Sequence, residues 1–182
     1  IIKSCNLRCR WCFENSESES RVKPLTTEQI ISIIRKLKGL RGISISGGEA
    51  SLHPDILPIL LETKQACTDP HLLSNGVSLQ ERILHFLAAE NIRLTVSLDG
   101  MEENHDFIRG SGTFKKSLET IAKAVALKIN TSIQCTLSTK NANDILSLIS
   151  LAERLGVTHL SFMRMKTLGR GQDLKDETLT GE

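Results

Sequence analysis

Segments with strand-like and helix-like spacing of apolar residues alternate along the chain, and this alternation restricts the possible folds more than any other feature. Short apolar runs end in turn residues, and each is followed by a stretch in which apolar residues recur every three or four positions. The pair repeats about every 30 residues, as in the βα units of a parallel sheet. Both an open doubly wound sheet and a partial barrel satisfy this pattern, so the sequence predicts an α/β fold.

The same periodicity locates the individual elements. Six strands are predicted, at residues 1–3, 43–46, 71–74, 92–98, 129–137 and 157–163. Five helices are predicted, around residues 30–37, 54–61, 78–87, 118–125 and 145–152. Thr26 with Gln29, and Ser78 with Glu81, match the capping-box pattern at the starts of the first and third helices. Gly156 is expected to end the last helix.

Size, charge and hydropathy argue against several classes of protein. The chain has 182 residues, 40% of them hydrophobic, which is enough for one core. Its formal net charge of +2 argues against a dedicated nucleic-acid binder and a polybasic membrane anchor. No apolar run approaches the roughly 20 residues of a membrane span, and the start of the sequence lacks a signal-peptide layout. We therefore expect a cytoplasmic protein, and a fragment of one, since Ile1 lies four positions before the first cysteine.

Three of the five cysteines, Cys5, Cys9 and Cys12, lie within eight residues. Disulfide pairing is awkward at this spacing, so we interpret them as ligands of a metal or an iron–sulfur cluster in a reducing compartment. A cubane cluster is usually held by four thiolates, and three leave one iron open for another ligand. Cys67 and Cys135 are isolated in the sequence and are interpreted as packing residues.

A structural zinc site is the alternative interpretation of the three cysteines. Zinc needs a fourth donor, and the nearest histidine along the chain is His53. The aromatic residues Trp11 and Phe13 favour the cluster, because they can shield it from water and oxygen.

Polar residues follow several predicted strands at their carboxyl ends, and the three cysteines follow the first strand. The positions are Gly47–Glu49, Ser74–Asn75, Ser97–Asp99 and Met163–Met165. Parallel α/β sheets bind ligands at this edge. The sequence therefore predicts that these residues and the cysteines share one site.

Residues 5–12, with the sequence CNLRCRWC, resemble the cysteine signature of the radical S-adenosylmethionine superfamily. The resemblance implies that Cys5, Cys9 and Cys12 bind a 4Fe-4S cluster whose open iron is chelated by the amine and carboxylate of S-adenosylmethionine. It also implies that an electron from the cluster cleaves this cofactor to a 5′-deoxyadenosyl radical, which abstracts a hydrogen from the substrate. For the fold, we predict a partial (β/α)6 TIM-like barrel with parallel strands and a truncated first strand.

The resemblance covers most of the chain. Ser46–Glu49 is similar to the GGE motif of the superfamily. Ser97–Gly100, with His105–Asp106 and Arg109–Gly110, is similar to the SxDG…HDxxRG stretch of the SPASM group, whose members mature peptides and sulfatases. The cofactor-binding residues implied in this way are Trp11, Gly47, Gly48, Glu49, Ser97, Arg109 and Met165.

Each of these residues has an implied partner in S-adenosylmethionine. The turn that ends in Glu49 receives the methionine amino group, Ser97 contacts the ribose, and Arg109 contacts the carboxylate. Met165 ends a segment that resembles the adenine-packing strand. His105 is expected to structure its loop and is left out of the site.

The SPASM resemblance favours modification of a peptide or protein side chain, with a reductant such as flavodoxin or ferredoxin as partner. A radical enzyme that acts on a nucleotide or cofactor precursor is one alternative, and a non-catalytic iron–sulfur or zinc-binding module is another. We expect residues 1–165 to form the core domain and residues 166–182 a linker to a C-terminal extension. Residues 14–19 lack apolar periodicity and are interpreted as a solvated loop.

Overall fold

The computed structural model describes residues 1–16 and 25–180, and within these ranges five β-strands form one sheet. All neighbouring strands pair in parallel, in the order in which they occur along the chain. The strands are β1 (Gly42–Ile45), β2 (Asp69–Ser74), β3 (Arg93–Ser97), β4 (Thr131–Leu137) and β5 (His159–Arg164). Parallel strands in sequential order, with helices between them, form a partial TIM-like barrel, so the predicted fold class is confirmed.

Six α-helices accompany the strands in the described part of the chain. They are α1 (Thr27–Lys36), α2 (Ile56–Ala66), α3 (Glu81–Glu90), α4 (Glu102–Arg109), α5 (Thr113–Ala126) and α6 (Ile145–Leu155). The sequence predicts all of these except α4. Only His105 and Ile108 of α4 are buried, so no continuous apolar stripe marks this short helix in the sequence.

Two of the three predicted helix caps are confirmed, and one is wrong. At the start of α1, the Thr26 hydroxyl accepts a hydrogen bond from the Gln29 amide (3.3 Å), as predicted. Gly156 ends α6 in the left-handed conformation, also as predicted. The cap predicted at Ser78 is wrong, because α3 begins after Gln80, whose side chain makes no capping bond.

The predicted strand at residues 1–3 does not pair as a regular strand of the sheet. Instead, the Gly48 amide donates to the Ile2 carbonyl (2.6 Å), and the Glu49 amide donates to the Ser4 carbonyl (3.0 Å). A Cβ atom at Gly48 would overlap the Ser4 carbonyl oxygen, so this approach requires glycine. The start of the cysteine loop, residues 5–12, is thereby fixed against the turn that follows β1.

The main apolar core lies between the sheet and its helices, and each large side chain buried there contributes roughly 1.5–3 kcal/mol to stability. Fully buried members include Ile59, Leu60, Leu72, Leu84, Leu94 and Ile121. Cys67 and Cys135 are buried in the same core, which confirms their interpretation as packing residues. The core thus holds the carboxyl ends of the strands at fixed positions.

After β5 the chain forms 3-10 turns over Gly169–Glu177, with a kink at Leu174. We call this segment the C-terminal strap. Part of the predicted loop at residues 14–19 falls outside the described residues. No helix among those described combines the length and the apolar character needed to cross a bilayer.

Candidate functional site

The carboxyl ends of β1, β2, β3 and β4 surround a cavity that the cysteine loop covers from one side. All of the predicted site residues except Met165 line this cavity, namely Cys5, Cys9, Trp11, Cys12, Gly47, Gly48, Glu49, Ser97 and Arg109. The parallel sheet therefore brings together residues that lie more than 100 positions apart in the sequence. Met165 instead packs behind the loop, against Trp11 and Ile108.

The cysteine loop is held by backbone contacts as well as by its neighbours. The Arg10 amide donates to the Ile108 carbonyl in α4 (2.9 Å), and the Cys12 amide donates to the Cys9 carbonyl (3.4 Å). The Leu7 amide points at the Cys5 sulfur (3.4 Å). These bonds shape residues 5–12 into a compact turn with the thiols on the cavity side.

Burial keeps the Cys5 and Cys9 thiols protonated until a metal binds. Desolvation raises the pKa of Cys5 to about 11, although the Leu7 amide partly offsets it. Desolvation also raises the pKa of Cys9, with the Arg109 charge acting in the opposite direction. Iron binding displaces the thiol protons, because the positive charge of the metal stabilises the thiolates that this buried environment disfavours.

The donor set fits an iron–sulfur cluster better than a single zinc ion. Within residues 1–16 and 25–180, no three histidine, cysteine, aspartate or glutamate side chains are close enough to share one metal ion. The Nδ1 atom of His53, the nearest histidine in the sequence, accepts a hydrogen bond from the Asp55 amide (3.1 Å). Three thiols around a cavity match a multi-iron cluster, whose ligands are spaced more widely than those of tetrahedral zinc.

Glu49, the last residue of the GGE turn, is buried, and its carboxylate bonds to the segment after β1 and to the end of β2. Oε1 accepts from the Ser51 amide (3.2 Å), the Ser51 hydroxyl (2.6 Å) and the Ser74 hydroxyl (2.9 Å). Oε2 accepts only from the Asn75 amide (2.7 Å) among the described residues. A carboxylate oxygen has two lone-pair sites, so Oε2 retains one for a donor in the cavity.

Arg109 is held in place by Asp99, which is fully buried. Arg109 Nε donates to Asp99 Oδ2 (2.7 Å), and the Thr136 amide donates to Asp99 Oδ1 (2.7 Å). Burial is the largest single influence and lowers the pKa of the Arg109 guanidinium, but the Asp99 carboxylate and the other groups around it together raise this pKa, so Arg109 stays charged. Within residues 1–16 and 25–180 the guanidinium donates only through Nε, so the two terminal nitrogens remain for an anionic group in the cavity.

His105 supports this pair from behind. Its Nδ1 atom accepts a hydrogen bond from the Asp99 amide (3.0 Å). Desolvation lowers the pKa of His105 to about 4, with the Arg109 charge acting in the same direction. The imidazole is therefore neutral near pH 7 and orders the Asp99 loop, as the sequence predicts.

The residues that line the cavity but were not assigned to the site from the sequence include Gln134, Thr136 and Arg170. Gln134 and Thr136 alternate with the buried residues Ile133 and Cys135 in β4. That alternation of polar and apolar residues in a strand is a signal that the sequence does contain. Arg170 reaches the cavity from the C-terminal strap, and no local pattern reveals this contact.

Residues 1–152 match the model of the Radical SAM superfamily. The chain belongs to the radical SAM superfamily. This superfamily uses a 4Fe-4S cluster and S-adenosylmethionine, in agreement with the cofactors predicted from the sequence.

Two curated relatives cover nearly all of the chain. The sporulation killing factor maturation protein SkfB of Bacillus subtilis is 28% identical over 94% of this chain and 42% of its own length. The AdoMet-dependent heme synthase of Methanosarcina barkeri is 30% identical over 95% of this chain and 51% of its own length. The chain thus spans about half the length of these relatives.

Among solved structures, Streptococcus suis SuiB bound to S-adenosylmethionine is similar to this chain with a TM-score of 0.81. The two are 17% identical, and the match covers 91% of this chain and 40% of SuiB. At this identity the likeness supports the fold alone, which agrees with the partial barrel described above.

Proposed function

We propose that this chain is the catalytic domain of a radical S-adenosylmethionine enzyme that modifies a peptide or protein side chain. The observation that carries the proposal is one cavity that combines three thiols, a buried carboxylate with a remaining acceptor site and an arginine whose terminal nitrogens bond to none of the described residues. Residues 1–165 form the proposed core domain, and residues 166–182 form a linker to a C-terminal extension.

The cavity residues have distinct proposed roles. Cys5, Cys9 and Cys12 hold the cluster, which when bound supplies the electron that cleaves S-adenosylmethionine to a 5′-deoxyadenosyl radical. Glu49 accepts a hydrogen bond from the methionine ammonium, and Arg109 donates to the carboxylate.

Two further contacts complete the proposed cofactor site. Ser97, half-buried at the end of β3, contacts the ribose. Trp11 covers the side of the cysteine loop that faces the strap, and it packs there against Met165. Met165 therefore acts on the cofactor through Trp11, behind the cavity.

A peptide substrate is supported by two similarities in sequence. The SxDG…HDxxRG stretch is similar to that of maturases of the SPASM group. SkfB, one of the relatives described above, is a maturation protein for a killing factor. A small-molecule substrate is the second candidate, favoured by the similarity to a heme synthase.

The proposal also includes an electron donor, a low-potential reductant such as flavodoxin or ferredoxin. The proposed location is the cytoplasm, where thiol ligands stay reduced.

The test is S-adenosylmethionine cleavage by the full-length protein after anaerobic reconstitution with iron and sulfide. Reduction in the presence of S-adenosylmethionine should yield methionine and 5′-deoxyadenosine. The Cys9→Ala variant should hold almost no iron and form neither product. Cys67→Ala, which removes a buried cysteine outside the loop, should bind iron and form both products. An intact cluster without product formation in the wild type would sink the proposal.

The substrate class is tested with deuterium-labelled candidates. If the substrate is a peptide, deuterium from a labelled precursor peptide should appear in 5′-deoxyadenosine. Transfer only from a labelled tetrapyrrole or nucleotide would replace the peptide assignment by the second candidate.

A further inference from the structure

The C-terminal strap returns from β5 to the outer side of the cysteine loop, and Arg170 makes most of the contacts. Its Nε donates to the Cys9 carbonyl (2.8 Å), and its backbone amide donates to the Cys12 carbonyl (3.0 Å). One residue therefore fixes the peptide groups of two of the three cluster cysteines.

The same guanidinium also holds the segment that follows the loop. Arg170 Nη1 donates to the Ser16 carbonyl (2.8 Å) and to Asn15 Oδ1 (3.2 Å). Arg170 Nη2 is buried and has no hydrogen-bond partner among the described residues, and Arg170 lines the cavity. A buried donor of this kind is costly unless it is satisfied, so Nη2 is available to a group bound in the cavity.

Gly169, which precedes Arg170, allows the strap to approach the cysteine loop so closely. Gly169 has a φ of +56°, and a Cβ atom there would overlap the carbonyl oxygens of Cys12 and Phe13. A Cβ atom at Gly171 would lie 2.5 Å from the Lys166 carbonyl oxygen. A larger residue at Gly169 would therefore push the strap away from the loop, whereas one at Gly171 would disturb the turn between Lys166 and the strap.

The far end of the strap is tied to the same loop. Glu177 Oε1 lies 3.1 Å from Arg10 Nη2, and the Glu177 carbonyl accepts a hydrogen bond from the Thr139 amide after β4 (2.8 Å). Within the strap only Gly171 is buried, so the segment adds little to the apolar core. Its polar contacts with the cysteine loop are therefore its main contribution.

We propose that Arg170 is a positioning residue for the iron–sulfur cluster. It holds the carbonyls of Cys9 and Cys12 in a fixed arrangement and directs a positive charge and an unused donor toward the bound cluster. This inference rests on the proposed function, since it takes the three cysteines as the cluster ligands. A positive charge and a hydrogen bond close to a cluster stabilise its reduced state, so Arg170 raises the reduction potential.

The test compares Arg170→Gln with Arg93→Gln in the reconstituted full-length protein. Arg93 is a matched control, because it is a partly buried arginine paired with Asp69 at the opposite edge of the sheet. Iron loss to a chelator should be about tenfold faster in Arg170→Gln, since charge-assisted bonds to the loop are lost. Its midpoint potential, from a redox titration followed by electron paramagnetic resonance, should be more negative. Arg93→Gln should match the wild type in both readouts.

A third variant separates the charge from the geometry. Arg170→Lys keeps the positive charge but lacks the planar fork, so it should restore most of the potential while iron loss stays fast. If Arg170→Gln keeps its iron and its potential as well as Arg93→Gln does, the inference is overturned while the proposed function stands. A wild-type chain that never assembles a cluster would overturn both.

Discussion

The amino and carboxyl edges of the parallel sheet, where the strands begin and end, differ in how deeply their charged residues are buried. At the carboxyl edge, Asp99 is fully buried, paired with Arg109 and bonded to the Thr136 amide. At the amino edge, Asp69 pairs with Arg93, but their side chains remain 38% and 30% exposed. Burying a charge is costly unless the charge is paired and hydrogen-bonded. Buried charge pairs are therefore expected where a site requires a charge at a fixed position. The buried pair thus marks the edge of the sheet that binds a ligand.

The largest effect is expected from neutralising the carboxylate of each pair. Asp99→Asn leaves the Arg109 charge buried opposite a neutral group, so the free energy of unfolding should fall by about 3–5 kcal/mol. Asp69→Asn breaks a partly exposed pair and should cost at most about 1 kcal/mol. Urea denaturation of both variants, without metal and under identical conditions, measures the difference. Equal costs would mean that the two edges do not differ as described.

The sequence predicts the components of the site well, because most of them sit in short local motifs. The cysteine loop and the GGE turn each carry their chemistry within a few residues. That they share one cavity follows from a single rule, since the carboxyl ends of parallel strands meet at one edge. Local sequence and this one rule together are therefore enough to predict that these residues share one cavity.

The contacts that hold these components are not local, and the sequence does not reveal them. Helix α4, which carries Arg109, was missed because it is short and mostly polar. Met165 follows the last residue of β5, but its side chain packs behind the loop, because orientation at a strand end depends on tertiary packing. The contact between Arg170 and Cys9 spans 161 positions. Sequence periodicity carries no information about contacts of that range.

A smaller effect is expected from the pH dependence that His105 confers on the carboxyl edge. Burial lowers the pKa of His105 to about 4 in the folded chain, below the ordinary value of 6.5. Protonation therefore favours the unfolded chain, so this contribution is complete above pH 6.5 and is lost as the pH falls toward 4. The loss should reach up to about 3 kcal/mol.

The measurement compares the free energy of unfolding at several pH values between 7 and 4. In His105→Gln the decline should be shallower than in the wild type, because the titrating imidazole is gone. His159→Gln changes an exposed histidine at the amino end of β5 and serves as the matched control. If both variants decline alike, the buried imidazole does not set the pH dependence of this edge.

The smallest effect concerns the affinity for S-adenosylmethionine. Glu49→Gln should weaken binding by about 1.5–3 kcal/mol, the amount expected for one hydrogen bond to a charged group, and leave the iron content unchanged. Ser74→Ala is the control, because it removes a donor to Oε1 but leaves the remaining acceptor site on Oε2. Its dissociation constant, measured anaerobically by equilibrium dialysis, should change less than that of Glu49→Gln. If Glu49→Gln binds the cofactor as tightly as the wild type, the buried carboxylate only joins the ends of β1 and β2, and the ammonium is held by other groups.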